Sequence, residues 1–161
     1  LIKRKGVHDL LHAVKKLNSN RNDYVLLVGG SGPEKASLST FIKKSKIDNC
    51  KLLGFLSDDE VLYWMQKCDL FVIPSYSEGN PTTMFEALGS GKPVVSTKVG
   101  GVPEILNDGC GILVDNDADD MSKKINEAMN KNWKNDEIRE YSEKYTWKNI
   151  AKEIFEFYNL E

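Results

Sequence analysis

Residues 74–104 read PSYSEGNPTTMFEALGSGKPVVSTKVGGVPE, and this stretch decides which fold we expect. Residues 70–73, just before it, form a short apolar run that Pro74 ends, which is typical of a strand buried on both faces. The stretch itself predicts a loop, a helix, a second loop, a strand and a Gly-Gly turn. Strands that alternate with helices along the whole chain predict a parallel sheet with helices on both faces.

A helix N-terminus is predicted directly after the first loop. Asn80 is a suitable N-cap, and Pro81 is a suitable first helical residue because the N–H that proline lacks would have no helical partner there. The backbone N–H groups of Thr82 and Thr83 then point out of the helix end, where the helix dipole adds roughly half a positive charge. Such a helix end can hold a phosphate.

Two glutamates flank this predicted anion site. Glu86 lies about one and a half turns into the helix, and its side chain leans back toward the N-terminus. Glu78 approaches the same place from the loop. Carboxylates are poor phosphate ligands, but each accepts hydrogen bonds from a pair of vicinal hydroxyls. The arrangement therefore fits a ligand with a phosphate in the middle and a sugar at each end, which is the shape of a nucleotide-sugar.

The spacing of the two glutamates also resembles a known motif. Residues 79–85 separate Glu78 from Glu86. This spacing resembles the Glu-x7-Glu donor site of the retaining glycosyltransferases of family 4 and their GT-B relatives. Pro74-Ser75 upstream and GKPVVSTKVGGVPEI downstream extend the resemblance, which runs from Lys5 to about Trp147. It implies a Rossmann-like α/β domain, with a parallel sheet and helices on both faces, that is one half of a GT-B fold.

The resemblance implies a role for each residue of the motif. Glu78 corresponds to the catalytic glutamate that contacts hydroxyls of the transferred sugar, and Glu86 corresponds to the ribose ligand. The loop and the helix N-terminus would surround the diphosphate, through Gly79, Asn80, Thr82 and Thr83. Many relatives have Gly-Phe-Gly after the first glutamate, where this chain has Gly79-Asn80-Pro81. Pro81 cannot donate an amide N–H, so any contact made there in relatives is absent here.

The start of the chain adds a basic residue to this expected site. Lys5-Gly6 precedes a predicted helix whose apolar residues recur at helical spacing, namely Val7, Leu10, Leu11, Val14 and Leu17. The resemblance implies that Lys5 is a second catalytic residue, which contacts the donor phosphates. Relatives carry a further phosphate ligand, an arginine, at a position that would lie before Leu1. We therefore expect the chain to be the C-terminal half of a longer enzyme, without its first strand and its N-terminal acceptor domain.

Two more loops follow predicted strands. The Gly29–Gly32 turn begins like a dinucleotide-binding fingerprint but has Lys35 where that fingerprint needs a further glycine. The resemblance places this turn, with Gly30, beside the donor, and it places the backbone of Phe55 and Leu56 against the nucleotide base. Because ligands of parallel sheets bind beyond the strand carboxyl ends, we expect these loops and the Glu78 loop to line one crevice.

Two patterns offer a metal site as an alternative. Asp115-Asn116-Asp117 matches the Asp-x-Asp with which other glycosyltransferases hold a divalent metal, but an Asp-rich turn before a helix is expected for capping alone. His8 and His12 are one turn apart without a third ligand at suitable spacing. We expect no metal and no cofactor, since the nucleotide diphospho-sugar, linked to UDP or GDP, is a substrate.

Composition narrows the class of protein. A chain of 161 residues suits a single domain, residues 1–161, with a sizeable core. The formal charge of -2, with acidic and basic residues interspersed, gives no reason to expect nucleic acid as a partner. The 3 cysteines lack metal spacing and suggest reduced thiols in a cytoplasmic domain. The N-terminal domain of the longer enzyme could still associate peripherally with the inner face of the membrane.

The end of the chain predicts a helix with an aromatic stripe, formed by Trp147, Ile150, Ile154, Phe155 and Tyr158. The resemblance implies that residues 146–159 form a C-terminal helix that crosses back over the N-terminal domain. Without that domain part of the stripe is exposed, so self-association of the chain is a further expectation.

The sequence thus predicts the donor-binding domain of a retaining, metal-independent glycosyltransferase of the hexosyltransferase type. It would bind a nucleotide-sugar donor for transfer to an acceptor such as a growing polysaccharide or a lipid-linked glycan, and we expect the domain alone to be inactive. Two other functions stay open: a GT-B-shaped UDP-sugar epimerase, and a non-catalytic nucleotide-sugar-binding module. A solvated loop whose glutamates have no ligand is the remaining alternative.

Overall fold

The computed structural model describes residues 1–158. Its strands are β1 (Leu26–Gly29), β2 (Cys50–Gly54), β3 (Phe71–Ile73), β4 (Val94–Thr97) and β5 (Gly111–Val114). Its helices are α1 (Val7–Leu17), α2 (Lys35–Lys44), α3 (Asp58–Lys67), α4 (Thr82–Gly89), α5 (Val102–Ile105), α6 (Ala118–Asn130), α7 (Asn135–Ser142) and α8 (Trp147–Tyr158). Lys3–Lys5 and Glu143–Tyr145 form short 3-10 turns.

Every strand pair in the described part of the chain is parallel. Hydrogen bonds join β1 to β2 in one sheet and β3, β4 and β5, in that order, in a second. In the second sheet Phe71 aligns with Val94, and Val94 aligns with Gly111. Each consecutive pair of strands is connected through a helix, as parallel pairing requires. The predicted alternation of strands and helices is confirmed.

Helices cover both faces of the sheet of β3, β4 and β5. Val94 and Val95 are neighbours in β4 and are fully buried, yet they lie in different hydrophobic clusters, because successive strand residues point to opposite faces. Val95 shares its cluster with residues of α1, α2 and α6, and Val94 shares its own with residues of α3, α4, α5 and α7. The predicted α/β class, with helices on both faces, is therefore confirmed.

Local sequence signals explain several helix starts. Ser57 and Glu60 form a capping box at the start of α3, with the Glu60 carboxylate accepting from the Ser57 N–H at 2.8 Å. Asp117 caps α6 by accepting from the N–H groups of Asp119 and Asp120. In α1 the predicted apolar face is buried at Leu10, Leu11, Val14 and Leu17, as expected for an amphipathic helix.

The predicted C-terminal helix corresponds to α8, and residue 159, the last of its predicted range, lies outside the described residues. The apolar side chains of α8 are largely exposed; the exposed fraction is 87% for Trp147 and 76% for Tyr158. None of the helices within residues 1–158 combines the length and the hydropathy needed to cross a membrane.

Candidate functional site

The first six residues pass over the carboxyl ends of two strands, β1 and β3. The Leu1 carbonyl accepts from the Glu34 N–H at 3.2 Å beyond β1, and the Arg4 carbonyl accepts from the Tyr76 N–H at 2.9 Å beyond β3. Gly6 has a φ of 65°, and a Cβ at this residue would lie 1.7 Å from the Pro74 carbonyl oxygen. Only glycine therefore allows the backbone to approach the β3 loop so closely.

This approach places Lys5 on Glu78. The Lys5 Nζ donates to Glu78 Oε1 at 2.7 Å, and the Ser75 hydroxyl donates to the same oxygen at 2.6 Å. The Arg4 Nη1 lies 3.6 Å from the other carboxylate oxygen, Oε2. The Glu78 side chain is only 7% exposed. Two cations and a hydroxyl therefore surround the carboxylate that, by resemblance, contacts the transferred sugar.

These contacts decide the ionisation of Glu78. Burial alone raises the pKa of a carboxyl group, but here the hydrogen bonds from Lys5 and Ser75 and the charges of Lys5 and Arg4 outweigh burial. The pKa of Glu78 is therefore lower than the ordinary value of 4.5. At neutral pH the carboxylate is ionised and acts only as a hydrogen-bond acceptor.

The Glu78 loop is supported from β4 and from the turn that follows it. The buried Thr97 hydroxyl donates to the Ser75 carbonyl at 2.5 Å, and the Gly101 N–H donates to the Gly79 carbonyl at 3.0 Å. The turn at Gly100 and Gly101 lies so close that a Cβ on Gly101 would be 2.0 Å from Asn80 Oδ1. The Gly-Gly turn predicted from the sequence thus packs directly against Gly79 and Asn80.

The prediction that Asn80 caps α4 is wrong. The N-cap position of α4 is Pro81, which has an extended backbone (φ -67°, ψ 117°), and no side chain caps the helix. The extended proline delays the helix to Thr82, and the Asn80 side chain lies against Gly101 instead. The N–H groups of Thr82 and Thr83 still stand at the helix start, where backbone donors lack partners within the helix.

Glu86 lies on α4, the helix that begins at Thr82. Its side chain is exposed, and within residues 1–158 it makes neither an ion pair nor a side-chain hydrogen bond. A carboxylate in this state is available to a ligand. Its assignment to a ribose remains a prediction, as do the assigned roles of Thr82 and Thr83.

A second group of predicted residues lies at the carboxyl ends of β1 and β2. The Gly30 N–H donates to the Gly54 carbonyl at 2.6 Å, and the Leu56 side chain packs so closely on Gly29 that a Cβ there would lie 2.6 Å from Leu56 Cδ1. Phe55 is 78% exposed. The structure thus brings together the Gly29–Gly32 turn and the loop of Phe55 and Leu56. That the Glu78 loop lines the same crevice stays a prediction.

No hydrogen bond or ion pair among residues 1–158 joins Gly30 or Phe55 to Glu78 directly; residues 1–5 run between the two groups. Sequence reasoning missed Arg4 and the Ser75 hydroxyl as neighbours of Glu78. Ser75 lies three residues before Glu78 in a turn, a spacing at which a hydroxyl can reach a following side chain. Arg4 had only its position next to Lys5 as a signal.

The residues of the two metal alternatives have other partners. Asp115 pairs with Lys98 at 2.7 Å, and Asp117 caps α6. His8 pairs with Glu34 at 3.3 Å, and the His12 ring packs on the Phe41 ring with centroids 4.5 Å apart. Within residues 1–158 no group of three or more His, Cys, Asp or Glu side chains is placed to hold a metal ion. The absence of a metal stays an expectation.

Two surface depressions lie away from the residues around Glu78, each of about 420 Å³. One lies between α1 and α2 and is lined by His8, Ser37 and Phe41, among others. The other lies beside the start of β5 and is lined by Asn107, Gly111 and Lys131, among others. Neither includes Lys5, Glu78 or Glu86, so neither is the place that the sequence motif indicates.

Comparison with known proteins gives a consistent result. The sequence model of the family "Glycosyl transferases group 1" matches residues 1–145. An uncharacterized glycosyltransferase of Methanocaldococcus jannaschii is 34% identical over 167 aligned positions, covering 98% of this chain and 45% of that protein. One component of the phosphatidylinositol N-acetylglucosaminyltransferase of Arabidopsis thaliana is 30% identical, covering 94% of this chain and 35% of that protein.

A solved structure shows the same fold. The Anabaena protein HepE, crystallised in complex with UDP and glucose, superposes with a TM-score of 0.80 at 23% identity, covering 100% of this chain and 46% of HepE. The chain therefore spans less than half the length of these relatives. Because the family model matches nearly the whole chain, this protein belongs to the group 1 family of glycosyltransferases.

Proposed function

We propose that this chain is the donor-binding domain of a retaining glycosyltransferase of the hexosyltransferase type, and that it binds a nucleotide diphospho-sugar. The observation that carries the proposal is the contact of Lys5 and Ser75 with Glu78 beside the start of α4. It pairs a cation with an ionised carboxylate four residues before Thr82, where the helix amides begin. A nucleotide-sugar presents the complementary groups, which are phosphates and vicinal hydroxyls.

In the proposed reaction an acceptor hydroxyl forms a bond to the anomeric carbon while the bond between that carbon and the diphosphate breaks. The leaving diphosphate takes the electron pair of the broken bond, gains negative charge and can accept the proton that the hydroxyl releases. Lys5 and the N–H groups of Thr82 and Thr83 stabilise that charge. These groups are positioned before the reaction begins, because the backbone beside Lys5 is held against the β3 loop. On this basis we propose that the charge is stabilised without a metal ion.

Glu78 has one oxygen left for the sugar. Oε1 already accepts from Lys5 and Ser75, whereas Oε2 has the Arg4 guanidinium at 3.6 Å, which is beyond hydrogen-bonding distance. Oε2 is therefore the atom that accepts a sugar hydroxyl in this proposal. Retention at the anomeric carbon is proposed from the Glu-x7-Glu spacing of Glu78 and Glu86.

The relatives suggest the class of donor and acceptor. The structure of HepE contains UDP and glucose, which favours a UDP-linked sugar as the donor of this chain. A GDP-linked sugar is the alternative. The Arabidopsis relative is named for transfer of N-acetylglucosamine to phosphatidylinositol, which favours a lipid-linked glycan as one class of acceptor; a growing polysaccharide is the other. We propose that an acceptor domain of the same enzyme is the partner of this domain, on the cytoplasmic side of the cell.

A thermal-shift screen tests the donor assignment. The purified protein is heated with UDP, GDP, ADP and their glucose and mannose conjugates, alongside the Glu86→Ala variant. A ligand at ten times its Kd raises the free energy of unfolding by about 1.4 kcal/mol. We expect one nucleotide to raise the melting temperature, and Glu86→Ala to remove that shift because the ribose contact is lost.

Glu140→Ala is the matched control, because Glu140 is also an exposed helical glutamate, on α7, without an ion pair in the described part of the chain. It should keep the full shift. Exchange of solvent deuterium into the bound sugar would favour the epimerase instead. Binding without transfer to any acceptor, in the complete enzyme, would favour the non-catalytic module. A protein that no nucleotide stabilises would overturn the proposal.

A further inference from the structure

Arg4 stands beside the proposed donor site without a role in it so far. Its Nη1 donates to the Ser77 carbonyl at 2.7 Å and lies 3.6 Å from Glu78 Oε2. Half of the side chain, 50%, is exposed. Arg4 therefore reaches the same carboxylate as Lys5 while it remains accessible to a ligand.

The positive charges around Glu78 exceed the negative ones. Arg4 and Lys5 face a single carboxylate, and Lys5 has the shorter contact, at 2.7 Å against 3.6 Å. Since one carboxylate compensates one cation, about one positive charge is left, and it resides mainly on Arg4. Arg4 lies in the 3-10 turn before α1, and its side chain contacts the Ser77 carbonyl in the loop that precedes α4. The N-terminus of α4 also attracts anions.

The hydrogen-bonding capacity of Arg4 is also in excess. A guanidinium carries five N–H donors, and among residues 1–158 the Arg4 side chain donates a single hydrogen bond, to Ser77. The loop does not depend on this side chain for its position. The backbone of the same segment already accepts from the Tyr76 N–H, and Gly6 packs on Pro74.

We propose that Arg4 binds the diphosphate of the donor as a second cation beside Lys5. This inference rests on the proposed function and adds to it a phosphate-binding residue. Planar guanidinium groups bind phosphate oxygens through paired hydrogen bonds. Arg4 meets the incoming diphosphate with free donors, while Lys5 and Ser75 keep Glu78 oriented toward the sugar.

A role of Arg4 in phosphate binding can be distinguished from a structural role with three ligands that differ only in their number of phosphates. Binding of uridine, UMP and UDP is measured by calorimetry at low and high salt, with the guanosine and adenosine series in parallel. In Arg4→Gln we expect UDP to bind about tenfold more weakly or worse, because charge-assisted hydrogen bonds are lost. Uridine should bind as before, and the effect of salt on UDP binding should shrink.

Lys3→Gln is the control for loss of one positive charge. Lys3 lies in the same 3-10 turn, is exposed, and has no ion pair within the described residues. Its removal should change UDP binding much less. Arg4→Lys should restore part of the affinity, because it restores the charge without the planar fork.

Other outcomes overturn the inference. Equal weakening of uridine, UMP and UDP in Arg4→Gln would show that Arg4 only supports the loop, and unchanged UDP binding would place Arg4 outside the site. Failure of the proposed function looks different, since then the wild-type protein binds none of the nucleotides or Glu86→Ala binds them normally. Circular dichroism and melting temperatures confirm that each variant is folded.

Discussion

The hydroxyl of Ser75 donates a hydrogen bond to Glu78 Oε1 over 2.6 Å, and neither side chain has much contact with solvent. Ser75 is 1% exposed and the Glu78 side chain 7%. The two residues come from one loop, but Lys5 approaches the same oxygen from a segment 73 residues away in sequence. The orientation of Glu78 therefore depends on both a local and a long-range contact.

We predict that Ser75→Ala destabilises the protein and weakens recognition of the sugar. Loss of a buried hydrogen bond to a charged group costs about 1.5–3 kcal/mol, and a freed carboxylate no longer presents Oε2 in one direction. Urea denaturation measures the first effect. Recognition of the sugar is measured as the ratio of the affinity for UDP-glucose to the affinity for UDP, and this ratio should fall in Ser75→Ala.

Ser77→Ala is the control for Ser75→Ala. Ser77 is exposed, its backbone carbonyl accepts from Arg4, and its hydroxyl makes no hydrogen bond within residues 1–158. Its stability should stay within about 0.5 kcal/mol of wild type. A Ser75→Ala protein that keeps both its stability and its ratio of affinities would show that the hydrogen bond has no part in orienting Glu78.

The lowered pKa of Glu78 predicts a loss of stability in acid. The unfolded chain binds the proton at the ordinary value of 4.5, whereas the folded protein binds it only at lower pH. Protonation therefore favours unfolding, so the contribution of Glu78 is complete above the unfolded pKa and disappears as the pH falls through the folded one. Denaturation curves recorded between about pH 6 and pH 3 measure this slope.

The Glu78→Gln variant should have a shallower dependence on pH in that range, because glutamine does not titrate. It should also be less stable than wild type at pH 6, since Lys5 and Arg4 lose the charge that they face. Parallel curves for the two proteins would contradict the assignment of the lowered pKa to Glu78.

We predict that Gly101→Ala disturbs the Glu78 loop through Asn80. Gly101 has an ordinary helical φ of -80°, so alanine is not strained there, but its Cβ would lie 2.0 Å from Asn80 Oδ1. One of the two residues must move. Because Asn80 Oδ1 is the end of an exposed side chain that can rotate away, the expected loss of stability is small, below about 1 kcal/mol. The expected effect on UDP-glucose is weaker binding, and denaturation and calorimetry measure the two effects.

A double-mutant cycle isolates that contact. In an Asn80→Ala background the colliding oxygen is gone, so Gly101→Ala should weaken UDP-glucose binding much less than it does in wild type. Gly79→Ala serves as the control for stability alone, because a Cβ at Gly79 meets no atom within 4 Å. Additive effects of the Asn80 and Gly101 changes would contradict the predicted collision.

Gly6→Ala should separate Lys5 from Glu78. A Cβ at Gly6 would lie 1.7 Å from the Pro74 carbonyl, and the φ of 65° is unfavourable for alanine. The backbone must move away from the β3 loop, and we expect a cost of more than about 1 kcal/mol. Nucleotide affinity should fall together with the melting temperature, and unchanged values of both would contradict the close approach.

Several elements could be predicted because their signals are local. The capping box of Ser57 and Glu60 and the cap of Asp117 act within one helical turn. The apolar spacing of Leu10, Leu11, Val14 and Leu17 predicted the buried face of α1. The prediction that Asn80 caps α4 was wrong because the Asn80 side chain packs against Gly101 instead. Gly101 is distant in sequence and lies near Asn80 only in the folded chain.

Local patterns in the chain were enough to predict the α/β class, the order of elements and the pair of glutamates in the candidate site. Hydrophobic periodicity and capping act over a few residues, so they can be recognised in a linear chain. Long-range packing is what brings Lys5 and Arg4 to Glu78 and sets Gly101 against Asn80. These contacts join segments that are distant in sequence, and the packing of the parallel strands brings them together at the carboxyl ends of the sheet.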